Sequence, residues 1–217
     1  MKHVPRLLDL DIRPLREADF DAVARLHAVC FPDKIETLLG ARCITDTYHD
    51  RYIGPMADSF ALVAVHRRDG RYVGFVYGTN PGATGTFAHA FISRAALKRH
   101  FLRRAIFLPR VWLFVFRRIL RKLGGGAPNE GDRLELGAGS CVVKMVGVAP
   151  EFRFGNAAFD LMQAVEDEAR RRRATRLVGL VERSNRSAER LYSFLGWVRT
   201  SPDRNDYAVF AMHKNLV

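Results

Sequence analysis

Acidic side chains are missing from a long stretch of this sequence. No aspartate or glutamate occurs from Gly70 to Asn129, where Arg71, Arg94, Lys98, Arg99, Arg103, Arg104, Arg110, Arg117, Arg118, Arg121 and Lys122 all fall. The formal net charge of +12 over 217 residues is therefore largely the property of one segment. A high isoelectric point of that origin is a poor argument for nucleic-acid binding by the whole protein, and such binding is not expected. Cysteine is scarce. Cys30, Cys43 and Cys141 are odd in number and lack metal-ligand spacing, which argues against a disulfide framework or a bound metal. No base stands beside Cys141 in sequence, so it reads as a small buried residue rather than a nucleophile. Long apolar runs are also lacking. The stretch Val111 to Phe116 lies between Arg110 and Arg117, far short of the ~20 residues a spanning helix needs. No cleavable apolar leader follows the charged start Met1 to Pro5, so a reducing cytoplasm is the expected compartment.

What is present is concentrated toward the C-terminal half. The run Ser184 to Trp197 joins a strand end, an amphipathic helix and a glycine stop. Ala188, Leu191, Tyr192 and Leu195 recur at i, i+3, i+4 and i+7 and so share one helical face, while Glu189 and Arg190 are expected to look to solvent. Gly196 is placed to end that helix in the left-handed conformation. Upstream, Val148 to Leu161 reads as a strand, a short turn and the start of a long helix. The first N–H groups of a helix have no internal partner and the dipole is positive there, so this junction suits a phosphate. Arg153 would add a charge-assisted contact.

Together the two runs resemble the GNAT N-acyltransferase superfamily, whose members carry a V-x-P-x-x-R-x-x-G-x-G/A loop and then an N-x-x-A-x-x-L-Y-x-x-x-G-F/W element. Val148, Pro150, Arg153 and Ala158 stand at positions of the first pattern; Asn185, Ala188, Leu191, Tyr192, Gly196 and Trp197 complete the second. The departure is Asn156, where the family places its central glycine, with Gly155 one place earlier. Asparagine tolerates positive φ better than most residues and can itself donate to a phosphate oxygen, so the change reads as a tolerated variant.

The resemblance implies an α/β fold: a mixed, mostly antiparallel twisted sheet flanked by helices, with two adjacent parallel strands splayed to take acetyl-CoA. In this chain those strands end near Val148 and Val181. The backbone of Val146 and Val148 would hold the pantetheine arm. Arg153 and the amides of Phe154, Gly155, Asn156, Ala157 and Ala158 would hold the pyrophosphate, and Asn185 would bond near the thiol end. Tyr192 would be the general acid for the departing sulfur; the other reading is a core tyrosine on an apolar face. Glu135 is the first candidate for the base, with Glu182 and a water chain behind it, and a surface carboxylate paired with arginine is the other reading of Glu135.

Along the chain, Leu10 to Leu15 reads as a strand and Glu17 to Cys30 as a helix with Ala22, Val23 and Leu26 inward. A less regular helical stretch follows from Ile35 to Tyr52. Ser59 to Val65 and Tyr72 to Tyr77 form a hairpin at Asp69-Gly70. Cys141 to Val148, Arg176 to Val181 and Tyr207 to Met212 are strands, and Asn156 to Arg173 is a helix whose arginine end is solvated. The whole is expected to be one domain, 1–217, with a helical insertion at about 80–131. Phe91 to Leu108 and Arg110 to Leu123 read as two helices broken at Pro109, and Gly124 to Pro128 as the return. Residues 91–123 admit three readings: a lid or homodimer contact over the acyl site, a peripheral contact with an anionic membrane, or a nucleic-acid contact.

In the family the first helices border the acceptor, which makes Asp33, Glu36, Tyr48, His49 and Asp50 candidates for contact with it; a solvated polar face is the other reading of each. His89 and His100 read as polar helix residues. The insertion is similar to basic helical inserts of bacterial acyltransferases associated with surface-polysaccharide or amino-sugar modification. The expected reaction is N-acetylation of a small-molecule amine such as an amino sugar. A protein amino terminus or lysine is the alternative acceptor, and a non-catalytic acyl-CoA-binding module is the alternative of another class.

Overall fold

The computed structural model describes residues 7–52, 59–80, 94–104, 108–109, 111–113, 115–116, 120, 137, 139–153, 155–200 and 208–216, with the backbone alone at 49–52, 94–95 and 104. Its centre is a seven-stranded sheet in the order β1-β2-β3-β4-β5-β7-β6. The strands are β1 (Leu10–Pro14), β2 (Ser59–His66), β3 (Tyr72–Thr79), β4 (Ser140–Val148), β5 (Arg176–Glu182), β6 (Val198–Arg199) and β7 (Val209–Asn215). Every neighbouring pair is antiparallel except β4 and β5. β2 and β3 read as near-continuous apolar runs because both faces of the sheet are covered. Phe60, Leu62 and Ala64 enter one core with the helix α5 (Ala157–Arg171), whereas Ala61 and Val63 enter a second core under α1 (Phe20–Cys30) and α3 (Ala41–Tyr52).

α1 follows a 3-10 turn, Glu17–Asp19. Its inner face runs through Phe20, Val23, Ala24 and His27, at i, i+3, i+4 and i+7, so Ala22 falls on the flank rather than inside. Asp19 ties the entry to the sheet: Arg13 donates to it with both terminal nitrogens at 2.7 and 2.8 Å, and the Arg16 N–H and Tyr72 hydroxyl each donate at 2.7 Å. The expected Ile35 to Tyr52 helix is two pieces, α2 (Ile35–Leu38) and α3, divided at Gly40, whose φ of 101° is costly for any other residue. β6 is an addition to the expected order, too short to show a period in sequence. It brings Arg199 to Glu189, which also accepts from Arg186, so Glu189 is half-buried and bonded rather than turned to solvent.

Of the insertion, α4 (Arg94–Arg104) is described together with short helical pieces after Leu108. It lies on α3, where His100 Nε2 and Asp46 are 2.8 Å apart. Val111 is fully buried with Leu39 and Cys43, and Ile35, Leu38, Leu97, Phe101 and Leu108 close around them. The expected helix ends near Phe91 and Leu123, the return from Gly124 to Pro128, His89, and Tyr207 at the start of the last strand lie outside the described residues. Among those described, no helix is long and apolar enough to cross a membrane.

Candidate functional site

The parallel pair separates partway along its length. β4 and β5 are in register from Ser140 opposite Arg176 to Val143 opposite Gly179, and no further. β4 runs on to Val148 and β5 to Glu182, so Lys144 to Val148 and Leu180 to Glu182 form the two arms of a fork. On its other edge β4 stays paired with β3 to the end, with one irregularity: Tyr77 faces Met145 and Gly78 faces Val143, leaving Lys144 as an extra, bulged residue at the crotch. A bulge bends its strand and interrupts pairing, which is the local cause of the divergence. Val146 and Val148 both lie on the β4 arm. The Val148 carbonyl already accepts from Arg153 Nε at 3.2 Å and from the Cys30 thiol at 3.4 Å, which ties Arg153 to the fork's open end.

Beyond Val148 the chain makes the turn Pro150–Phe152 and enters α5 at Ala157. Among the described residues no side chain caps this helix start, so its first N–H groups are available to an anion. Ala157 is fully buried and Ala158 half-buried, and Arg153 is exposed beside them. Gly155 is half-buried and its N–H donates to Phe152 O at 3.1 Å; Phe154 lies outside the described residues. Asn156 differs from its expected part. Its φ is −79°, an ordinary helical value, so no tolerance of positive φ is involved. Its side chain is turned to the N-terminal segment, where it accepts from Leu8 N at 2.8 Å and donates to Leu8 O at 3.2 Å, as well as to Asp160.

On the other arm, α6 (Arg186–Phe194) begins at Asn185, whose Oδ1 accepts from Ala188 N at 3.1 Å. This caps the helix and leaves the amide NH₂ as the group Asn185 can offer a ligand. Tyr192 is buried, and its ring stacks on Trp197 with centroids 4.8 Å apart. Both rings stand against Gly179, the last residue of β5 paired with β4: a Cβ there would lie 3.4 Å from each. The turn at Gly196, with φ of 81°, delivers Trp197 to that position. Tyr192 makes no hydrogen bond through its hydroxyl among the described residues, and burial pushes the phenol up to about 12, so it is a protonated donor at neutral pH. The motif thus sets one donor at the crotch of the fork.

A polar cluster that sequence reasoning did not assemble lies on the α1–α3 side of β4. The Lys144 ammonium is 5.6 Å from the centre of the Tyr48 ring, and Tyr48 stacks on Tyr77 at 4.9 Å. The Tyr48 hydroxyl donates to Glu36 Oε1 at 2.9 Å. Both residues are buried, so for them the solvated-face reading is wrong; helix α2 turns Glu36 inward against α3. His27, fully buried, stacks on Phe75 at 5.8 Å and meets the Thr37 hydroxyl at 3.3 Å. Burial pushes its imidazole down to about 4, so it is neutral. Its place on the inner face of α1, four residues after Val23, was the available signal. Asp33 is exposed, and the side chains of His49 and Asp50 lie outside the described residues, as does Glu135. Glu182 is exposed at the β5 end, 4.0 Å from Lys34 Nζ. Cys141 is fully buried and its thiol is pushed up to about 12 by burial, which leaves it a core residue.

A forked parallel pair, an uncapped helix start with an exposed arginine at one arm and a buried phenol at the crotch lie together in one stretch of the chain. Residues 123–197 match the family model Acetyltransferase (GNAT) family, a span that contains both motifs, both arms and α6. Over that span the chain is similar to GNAT acetyltransferases. No curated protein matches it. Among solved structures, a GCN5-related N-acetyltransferase from Kribbella flavida superposes with a TM-score of 0.59 at 17% identity, over 95% of this chain and 97% of that one. PaiA N-acetyltransferase from Thermoplasma acidophilum, in complex with coenzyme A, gives 0.52 at 12% identity over 96% and 99%. The ribosomal-protein-S18-alanine N-acetyltransferase from Escherichia coli gives 0.55 at 11% over 96% and 94%.

Proposed function

We propose that this chain is a single acyltransferase domain that moves the acetyl group of acetyl-CoA directly to the amine of a small molecule, an amino sugar being the leading class. The observation that carries the reading is the fork: its β4 arm ends at an uncapped helix start, and its crotch holds Tyr192. Arg153 and the N–H groups of Asn156 to Ala158 would hold the pyrophosphate, the backbone of Val146 and Val148 the pantetheine, and the NH₂ of Asn185 the region near the sulfur. Acetyl-CoA supplies the activated thioester. Tyr192 holds a proton where the sulfur departs, and its burial keeps that proton in place across the working pH range.

The acceptor side is assigned to the cluster of Glu36, Tyr48 and Lys144 below the crotch. Glu36 is a buried carboxylate with one oxygen bonded to Tyr48, suited to orient a protonated amine before it loses its proton. Glu135 remains the proposed base, followed by Glu182. The cations of the insertion suit an acceptor that carries phosphate.

The test is thermal stabilisation by acetyl-CoA, followed by free-thiol release against nucleotide amino sugars, polyamines and peptides with free amino termini or lysines. Turnover with an amino sugar is the expected result. Turnover with peptides alone would move the acceptor to protein, and stabilisation without turnover on any amine would leave a non-catalytic acyl-CoA-binding module.

A further inference from the structure

We infer that the outer face of the basic insertion docks on an anionic lipid bilayer. This is independent of acetyl transfer. The insertion is apolar on two sides. Its inner side closes on α2 and α3 through Val111, Leu97 and Phe101, yet Leu102, Trp112, Leu113, Phe116 and Leu120 are 62, 51, 48, 57 and 50% exposed. Trp112, Leu113 and Phe116 fall within short helical pieces, and Leu120 follows at a spacing that would keep it on the same side. Phe101 meets Trp112 edge-on at 6.5 Å, which joins α4 to that face. Several large apolar side chains exposed in one segment mark a contact surface, and the chemistry around them selects the partner.

Lys98, Arg99 and Arg103 are exposed on α4 beside this face, and the sequence has no acid from Gly70 to Asn129. A second copy seated here would oppose two cation-rich surfaces with nothing to neutralise them. A nucleic acid has the right charge, but Leu102, Leu113 and Leu120 offer neither stacking nor hydrogen bonds to it. Aliphatic side chains with a tryptophan among them, bordered by lysine and arginine, fit the headgroup boundary of an anionic leaflet. The contact is peripheral. Its attachment to α2 and α3 sets the bilayer on the Glu36–Tyr48 side of the domain.

Full-length protein is mixed with vesicles of phosphatidylcholine alone or with phosphatidylglycerol, and followed by co-sedimentation and tryptophan emission. Trp197 is 2% exposed and already shielded, so a blue shift reports Trp112. The expected result is pelleting and a blue shift with phosphatidylglycerol vesicles only, both weakened by salt. Replacing Lys98, Arg99 and Arg103 together by glutamate is expected to lower partitioning roughly a hundredfold or more. Trp112→Ser with Phe116→Ser should abolish binding while the melting shift with acetyl-CoA persists, which separates loss of the surface from loss of the fold. Three outcomes overturn the inference: equal or absent binding to both vesicle types, a dimer in sedimentation velocity that the serine variant dissolves, or tighter binding to an oligonucleotide than to vesicles.

Discussion

The side-chain amide of Asn156 pairs with the backbone of Leu8 in both directions, accepting from its N–H at 2.8 Å and donating to its carbonyl at 3.2 Å. The residue standing where the family has a glycine therefore anchors the segment ahead of β1 to the start of α5, and its own amide is turned from the phosphate loop. Replacing Asn156 by glycine is expected to lower stability by ~1–2 kcal/mol, a fall in Tm of roughly 2–8 °C for a chain of this size. Acetyl-CoA affinity should stay within about threefold if, as proposed, backbone amides and Arg153 hold the pyrophosphate. A loss of tenfold or more, measured by calorimetry, would instead make Asn156 a phosphate donor, since a hydrogen bond to a charged group contributes about 1.5–3 kcal/mol.

Tyr192→Phe keeps the ring stack on Trp197 and removes only the hydroxyl. The expected outcome is a fall in kcat of about a hundredfold or more with little change in acetyl-CoA Kd. With the phenol at about 12, the wild type should show no descending limb from this group below roughly pH 11. A pH–rate profile that falls near pH 8 or 9 for that reason would assign the proton to another donor.

Gly179 sets how closely Tyr192 approaches the fork. A Cβ at this position would make ordinary 3.4 Å contacts with the Tyr192 and Trp197 rings, so Gly179→Ala is expected to change stability by less than ~1.5 kcal/mol. Gly179→Val has no such room and should cost ~1–3 kcal/mol while moving the phenol. The reading is checked by urea denaturation beside steady-state kinetics: the valine variant should lose more in kcat than in acetyl-CoA affinity, and the alanine variant little of either.

His27 makes stability depend on pH in a stated direction. Its folded pKa is lowered to about 4 from 6.5, so between those values the unfolded chain binds a proton that the folded one does not. Stability should therefore fall as pH drops through that window, by roughly 3 kcal/mol in total, and this contribution should level off below about pH 4. His213, also lowered by burial, acts in the same direction. His27→Phe should flatten most of the slope between pH 6.5 and 4 in denaturant melts. An unchanged slope would place the titration elsewhere.

The two motif runs were legible in the linear sequence because what they encode is local. The stripe of Ala188, Leu191, Tyr192 and Leu195 and the stop at Gly196 each depend on neighbours within a few residues, where helical period and backbone preference decide; the cap made by Asn185 is equally local but was not read. The strands of the sheet were readable for the same reason, except β6, whose two residues carry no period. The bulge at Lys144, the point where β4 leaves β5, the hold of Asn156 on Leu8 and the meeting of His27, Glu36, Tyr48 and Lys144 were not legible. Each joins segments far apart in the chain, and register, volume and burial select such pairings only when the sheet and both its helical layers close together. The basic segment shows the same division. Its cations and missing acids are plain in the sequence, but Val111 turns inward and Trp112 outward because packing on α2 and α3 admits one side of the helix and leaves the other to solvent.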